Sequence, residues 1–199
     1  MTNKDFVKAE REYMIKFLQK LTPRQWEAST LCEGWTVEDL AAHIVVREGV
    51  IGPIGIVVPQ LHTLHDNRVK KLEAKGRTEI IRKLQRYPWW MPAVANTGEF
   101  YVHNEDFLRG ELHMSRPAPS AEAQAILWSS LSGLVKINKR MVSDLGNLTL
   151  ENIQTSEVII IINKHSSREA TIKGLASELL LFCYGRRDAA KVTIKKVTL

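Results

Sequence analysis

The chain has 199 residues, of which 44% are hydrophobic and 25% are charged, and its formal net charge at pH 7 is +6. This balance excludes intrinsic disorder and allows one sizeable core, or one domain with a small appendage. Adjacent basic residues near the C-terminus occur at 186–187 and 195–196, without a helix-turn-helix pattern or an aromatic and basic repeat. The sequence therefore predicts no nucleic-acid binding, and its positive charge suits an anionic small molecule.

Cysteine content and hydropathy indicate where the protein resides. The two cysteines, Cys32 and Cys183, form no C-x-x-C pair and are too few for a disulfide framework, which predicts a reducing compartment. The N-terminal segment lacks the apolar core of a signal peptide. The most apolar stretch, residues 50–61, is shorter than the roughly 20 residues that a membrane span needs and contains two prolines. We expect a soluble, cytoplasmic protein that does not bind membranes.

Apolar residues recur at helical spacing through most of the first 146 residues. Thr36 and Asp39 have the spacing of a capping box, and Ser120 can cap a long helix. The proline-bounded aromatic segment 87–92 interrupts the pattern, and we interpret it as an ordered loop that covers a pocket. Helices are predicted over residues 4–21, 36–48, 96–108 and 120–145, with one or two more within 60–86.

The hydrophobic period changes from about residue 147. The β-branched run 157–162 predicts a strand, 165–167 a turn and 169–172 the return strand. A helix over 174–182 and a last strand over 192–194 follow. The sequence thus predicts an α+β protein, with a helical bundle over residues 1–146 and a small α+β unit over residues 147–199.

Three residues have the spacing of a metal site. His43 lies on an apolar helix face, while Glu99 and His103 are four residues apart and would project from one face of a later helix. Two imidazoles and one carboxylate are the ligand set of an open catalytic zinc site, and a bundle core can bring them together. Each residue also has an ordinary alternative: a core histidine, a capping partner for Asn96, and a surface residue.

Other residues compete for these roles or support them. His62 and His65, three residues apart and beside Asp66, are a second possible ligand pair. Glu105 and Asp106 are candidates to accept a hydrogen bond from a ligand imidazole, although a solvated helix face is the ordinary reading for both.

Cys32 and the tryptophans have less specific interpretations. We interpret Cys32 as a small buried residue and Trp35 as part of the core. The pair Trp89-Trp90 is a candidate pocket wall, with packing in the bundle as the alternative.

Three segments resemble the signatures of one family. They are LCEGWTVEDLAAHIVVRE at 31–48, EFYVHNED at 99–106 and ELLLFCYGR at 178–186. In this order they resemble the mycothiol-dependent maleylpyruvate isomerase superfamily, which is related to the DinB-like metal-binding bundles. The resemblance implies a DinB-like four-helix bundle with a divalent metal, usually zinc, held by His43, Glu99 and His103. The short C-terminal unit resembles an actinobacterial branch that is described only as metal-binding.

The resemblance also implies a chemistry. In the isomerase, the metal binds the thiol cofactor mycothiol, and an arginine of the C-terminal domain assists the substrate. Arg186 is the best match to that arginine, and Arg187 adjoins it. We therefore expect a transferase or isomerase that acts on an electrophilic, anionic small molecule with a low-molecular-weight thiol. The alternative is a non-catalytic metal-binding protein that recognises a small anion or a protein partner.

Overall fold

The computed structural model describes residues 1–49, 62–86, 88 and 90–198. Part of the predicted pocket-covering loop, including Trp89 of the tryptophan pair, lies outside the described residues. The chain divides into two compact units. The helical unit comprises residues 7–96 and 103–116, and the mixed unit comprises residues 1–6, 97–102 and 117–199. The domain boundary that we place after residue 146 stays a prediction.

The described elements from Asn3 to Ile137 are all helices. Two of them begin at capping boxes. In each box a threonine hydroxyl accepts from the backbone N–H of the residue three positions later, and the side chain of that residue accepts from the backbone N–H of the threonine. Thr36 with Asp39 is the predicted one, whereas Thr22 with Gln25 starts a short helix that we did not predict. The helices are α1 (Asn3–Leu18), α2 (Pro23–Trp26), α3 (Val37–Arg47), α4 (His62–Glu73), α5 (Arg77–Leu84), α6 (Ala93–Arg109) and α7 (Ala121–Ile137).

The start of α6 removes one of the ordinary readings of Glu99. The helix begins at Ala93, with Pro92 in the N-cap position and no side-chain cap. Asn96 is therefore inside the first turn, and Glu99 is not its capping-box partner. Asn96 is instead buried, where its amide nitrogen donates to Glu48 at 2.9 Å and its oxygen accepts from Arg47 at 2.7 Å.

The core of the helical unit lies where α3 meets α4 and α5. Leu40, Ala41 and Ile44 of α3 are buried, as are Leu72 of α4 and Ile80 of α5. On α1, the ring of Phe17 lies 6.0 Å from the ring of Phe107 on α6. These contacts use the apolar stripes that the sequence pattern indicates, so the predicted helical bundle rests on the expected faces.

The mixed unit contains a four-stranded sheet in the order β2-β1-β3-β4. β1 pairs with β2 and β3 with β4 in antiparallel fashion, while β1 and β3 are parallel. The predicted hairpin of residues 157–172 is therefore wrong, because β1 separates its two strands and was missing from the prediction. The strands are β1 (Asn147–Asn152), β2 (Val158–Ile161), β3 (Arg168–Gly174) and β4 (Thr193–Thr198).

One helix covers the buried face of this sheet. The last helix, α8 (Ala176–Cys183), is buried along its whole length and packs on β1, β3 and α7. Gln124 of α7 and Ser177 of α8 exchange two hydrogen bonds, of 3.0 and 2.9 Å. The predicted helix 120–145 is shorter than expected, since α7 ends at Ile137 and a 3-10 helix, Lys139–Leu145, follows. The α+β class is confirmed.

The described helices also bear on membrane association. None of those in the described ranges is both long enough and apolar enough to cross a bilayer.

Glu73, at the end of α4, should make the stability depend on pH. Burial, a hydrogen bond with Asp39 and the nearby charge of Glu38 raise the pKa of Glu73 from 4.5 to about 7. Between these values the unfolded chain loses a proton that the folded protein keeps, so stability falls as the pH rises. We expect Glu73→Gln to raise the free energy of unfolding by roughly 1 kcal/mol above about pH 7, after allowance for solvent screening.

Urea denaturation at about pH 4 and about pH 8 measures this effect. The variant should match the parent protein at the lower pH and exceed it at the higher one. The exposed Glu12→Gln is the control and should change neither value. An equal gain at both pH values would contradict the assignment to Glu73 ionisation.

Candidate metal centre

The helical unit brings two of the three predicted ligands together. His43 from α3 and His103 from α6 are both buried, each with 8% of its surface exposed. Their ring centroids are 5.6 Å apart, and the ring planes are nearly perpendicular, at 78°. Two residues that are 60 positions apart in the sequence therefore come together in the interior of the helical unit.

Each ring of this pair is fixed through its Nδ1 atom. Nδ1 of His103 lies 2.9 Å from Oδ2 of Asp106, one turn later on α6. Nδ1 of His43 lies 3.0 Å from Nε2 of His65 on α4, and Nδ1 of His65 lies 3.4 Å from Asp66. The favoured interpretation of Asp106 as part of a solvated helix face is wrong, because it is fully buried and lies at hydrogen-bond distance from His103, the role that we had given as its alternative. His65 contacts a predicted ligand, a role that the sequence reasoning missed.

Trp35 and the loop before α3 complete the surroundings of the pair. The Trp35 ring lies 4.6 Å from the His43 ring, so it restricts how that imidazole can turn. The loop is held to the end of α6, because the Leu31 amide donates to the Asp106 carbonyl at 3.2 Å. A Cβ on Gly110 would lie 2.5 Å from the Ser29 carbonyl oxygen, so only glycine allows this close approach.

This loop carries Cys32 to the same place. Cys32 is half-buried, its Sγ donates to Oδ2 of Asp106 at 3.2 Å, and it lies 3.9 Å from Nδ1 of His103. Ligand atoms of Cys32, His103 and Asp106 all lie within 4.8 Å of one another. The reading of Cys32 as merely a small buried residue is therefore incomplete. Cys183 is different, since burial raises the pKa of its thiol to about 12.

The observed distances are compatible with a divalent ion on either side of His103. Two imidazoles that bind one zinc ion through Nε2, at about 2.0–2.1 Å each, have ring centroids roughly 5–6 Å apart. The observed 5.6 Å between His43 and His103 agrees with this value. On the Nδ1 side, the thiol of Cys32 and the carboxylate of Asp106 form a second possible ligand group with the same ring. The first position uses Nε2 of His103 and the second uses Nδ1. A single bound ion therefore occupies one position or the other.

Glu99 and Arg186 lie in the mixed unit. The Tyr184 hydroxyl donates to Oε1 of Glu99 at 3.4 Å, and a Cβ on Gly98 would lie 2.7 Å from that hydroxyl oxygen. Nη1 of Arg186 donates to the Tyr184 carbonyl at 2.6 Å. Tyr184 thus contacts both of these predicted site residues. Its place in the closing motif was the only sequence signal for it.

Two neighbours of the predicted residues have other partners. Arg187 donates from both terminal nitrogens to Asp144, at 2.6 and 2.8 Å, and this pairing lowers the pKa of the Asp144 carboxyl. Glu105 is buried and accepts from Arg109 and Arg116. Glu105 is therefore held by arginines, and Asp106 alone of the two acids meets an imidazole.

Comparisons with known proteins agree with this arrangement. Residues 7–54 match the family model described as the mycothiol maleylpyruvate isomerase N-terminal domain. The fold is similar to a crystal structure of the mycothiol-dependent maleylpyruvate isomerase, with a TM-score of 0.61, 13% identity and coverage of 98% of this chain and 93% of that chain. Residues 7–54 therefore resemble that N-terminal domain, and over the whole chain the similarity is one of fold.

Two further comparisons complete this picture. A histidine-to-alanine mutant of the same isomerase gives a TM-score of 0.60, with the same identity and coverage. A search of curated protein sequences finds no significant match. At 13% identity the structural likeness establishes the fold, so the roles of individual residues rest on this chain's own geometry.

His65 provides a test of the centre that the family resemblance alone does not suggest. Its contact with Nδ1 of His43 orients that ring, and loss of such an outer partner typically costs about 10- to 100-fold in metal affinity. We expect His65→Ala to weaken binding of zinc by an amount in this range. Competition titration with a chromogenic chelator measures it.

His165→Ala is the matched control, because His165 is exposed and lies far along the chain in the mixed unit. It should leave the zinc affinity unchanged. If both variants bind zinc as the parent protein does, His65 has no part in orienting the centre.

Proposed function

We propose that this protein binds a divalent metal ion, zinc in the first instance, and uses it to activate a low-molecular-weight thiol such as mycothiol. The thiol would then react with a small, electrophilic and anionic substrate in an isomerase or transferase reaction. A cytoplasmic location, where small thiols are kept reduced, is part of this proposal. The proposed ligands are His43, Glu99 and His103, and the proposed substrate-binding residue is Arg186.

The observation that carries the proposal is the buried pair of imidazoles. A buried polar ring is costly unless its nitrogens have partners. His43 and His103 each have a partner at Nδ1, from His65 and Asp106 respectively. Each Nδ1 partner would set the tautomer of its ring, and we assign metal binding to the Nε2 atoms. Glu99 is included because it is one turn before His103 on the continuous helix α6.

The residues of the chain would divide the chemistry among them. A divalent ion with an open position lowers the pKa of a bound thiol and so supplies a thiolate at neutral pH. His43 and His103 would hold the metal ion, and the ring of Trp35 limits the rotation of the His43 ring. Arg186 would bind a substrate carboxylate through its planar pair of donors. Arg187 is less suited, because Asp144 already accepts from both of its terminal nitrogens.

A second candidate function follows from Cys32. With Cys32 and Asp106 as ligands beside His103, the protein itself would supply a thiolate and a carboxylate. In such a site the thiolate of Cys32 would take the place of a low-molecular-weight thiol on the metal, so the ion would have no external thiol to activate. The protein would then be a metal-binding protein without turnover, which recognises a small anion or a partner protein.

Metal content separates the two candidates. We expect His43→Ala to lose most of the bound metal, because it removes one of two imidazole ligands. We expect Cys32→Ser to keep it. Elemental analysis of both purified variants measures the loss, and circular dichroism shows whether each variant is folded.

Substitution of cobalt for the native ion gives an independent readout. A cobalt–thiolate bond produces an intense near-ultraviolet absorption, whereas nitrogen and oxygen ligands do not. The parent protein without added thiol should lack this band. Should the band be present and disappear in Cys32→Ser, the ligand assignment to His43, Glu99 and His103 is wrong, and the second candidate takes its place.

Arg186 should determine the preference for anionic substrates. With mycothiol and maleylpyruvate, we expect Arg186→Gln to lower kcat/KM by about 100-fold and Arg186→Lys by about 10-fold, because lysine keeps the charge but not the paired donors. With a neutral electrophile the same variants should react nearly as fast as the parent protein. Steady-state kinetics with both substrates measures the difference.

Arg187→Lys is the control, since it retains a positive charge beside Asp144. It should change neither rate by more than about twofold. Equal losses on the charged and the neutral electrophile would show that Arg186 acts on the fold and not on the substrate carboxylate.

A further inference from the structure

A second polar feature of the helical unit is a cavity of about 260 Å³ between the end of α3, α4 and α5. Its floor is apolar and its rim is positively charged. The apolar lining comes from Val45, Val46, Gly49 and Leu72, and the charged lining comes from Arg68, Lys71, Lys75 and Lys83. None of these residues belongs to the candidate metal centre.

The helix register explains why the cations meet here. Arg68 and Lys71 are three residues apart on α4 and project from one face, and Lys75 follows two residues after the end of that helix. Lys83 comes from α5 and lines the same cavity. Lys70 is equally exposed and adjacent in sequence, yet it is not part of the lining. The cavity is therefore lined by the basic residues of one face of α4 and not by all of the basic residues of that helix.

These cations are poorly neutralised by the protein. Within the described residues, the side chains of Arg68, Lys71 and Lys75 form no ion pair within 4 Å and no hydrogen bond. Glu79 lies 3.9 Å from Lys83 and also interacts electrostatically with Lys75, so one carboxylate is shared between two of the four cations. Like charges around one cavity repel one another, and an anion at their centre relieves that repulsion.

A neighbouring cavity extends the positive region. Its volume is about 190 Å³, and it shares Val45, Gly49 and Lys83 with the first cavity while adding Arg86. The carboxylate in its lining, Glu48, is in a buried ion pair with Arg11 and also accepts from Asn96. The described lining of the two cavities together carries five cationic groups.

We propose that this cationic cavity binds a small molecule that carries two or more phosphate groups. A phosphate group carries about −1.5 to −2 charges at neutral pH, so two of them match the four cations of the larger cavity. Lysine is a common phosphate ligand, and its long flexible side chain suits groups at different separations. The apolar floor, Val45, Val46 and Leu72, would contact the uncharged body of the ligand. The site is independent of the proposed thiol chemistry.

Isothermal titration with fructose bisphosphate as the probe tests this proposal, at about physiological salt so that weak surface attraction is screened. We expect saturable binding of one probe per chain. The double variant Lys71→Gln/Lys75→Gln should bind at least about tenfold more weakly, because it removes two of the four charges of the larger cavity. Lys70→Gln, on the same helix but outside the cavity, should bind as the parent protein does.

Two further arms identify the source of the phosphate and the location of the site. Vesicles containing phosphatidic acid should not compete with the sugar bisphosphate, and His43→Ala should retain the affinity of the parent protein for it. The proposal is overturned if no saturable binding occurs, if Lys70→Gln weakens binding as much as the double variant, or if only the vesicles bind. Loss of binding in a folded His43→Ala would place the anion at the metal centre, and would also overturn it.

Discussion

Arg47 fixes the position of α3 along the axis of α6, and the geometry of the candidate centre depends on that position. Its guanidinium group is buried and donates to Asn96 at 2.7 Å and to the Ala95 carbonyl at 3.0 Å, both in the first turn of α6. His43 is one turn before Arg47 on α3, while His103 is two turns after Asn96 on α6. The two helices therefore run antiparallel, and the Arg47 contact and the imidazole pair are successive rungs between them.

The cost of this arrangement shows why it is specific. Burying a guanidinium group is unfavourable unless its donors are used, and removing one partner of a buried charged pair typically costs about 3–5 kcal/mol. Asn96 also donates to Glu48, which is paired with Arg11, so α1, α3 and α6 share one connected polar layer. A slip of α3 by one turn along α6 would leave these groups without partners. The layer thus selects a single packing of helices whose apolar surfaces alone would allow several.

The sequence predicted the parts of the structure that depend on local spacing. Helical periodicity located α1, α3, α6 and α7, and the Thr36 capping box is a contact between residues three apart. The sheet order could not be found in this way, because β1 and β3 are parallel and the connection between them includes β2. Two neighbouring β-branched runs in a sequence instead suggest a hairpin. The polar sequence of β1 also hid it, since only one of its faces is buried.

The same distinction applies to the candidate centre. His43 and His103 could be selected from spacing, but their orienting partners differ in range. Asp106 is three residues from His103 and could be considered as its partner from sequence, whereas the contact of His65 with His43 crosses between helices and could not. Cys32 reaches Asp106 only because the loop before α3 lies against the end of α6. Partners that lie on a different element from the ligand are therefore found only in the structure. Partners on the ligand's own helix can also be found from the sequence spacing.

The shared position of Asp106 also links the two possible chemistries of the centre. Its Oδ2 accepts from both the His103 ring and the Cys32 thiol, so it orients an imidazole in one arrangement and becomes a ligand in the other. An ion on the Nε2 side strengthens the first role, since a bound cation makes the Nδ1 hydrogen a better donor to the carboxylate. An ion on the Nδ1 side must displace that hydrogen and the thiol proton together, which becomes easier as the pH rises. At neutral pH the hydrogen bonds already present thus favour the Nε2 side, which is the side that the proposed ligand set uses.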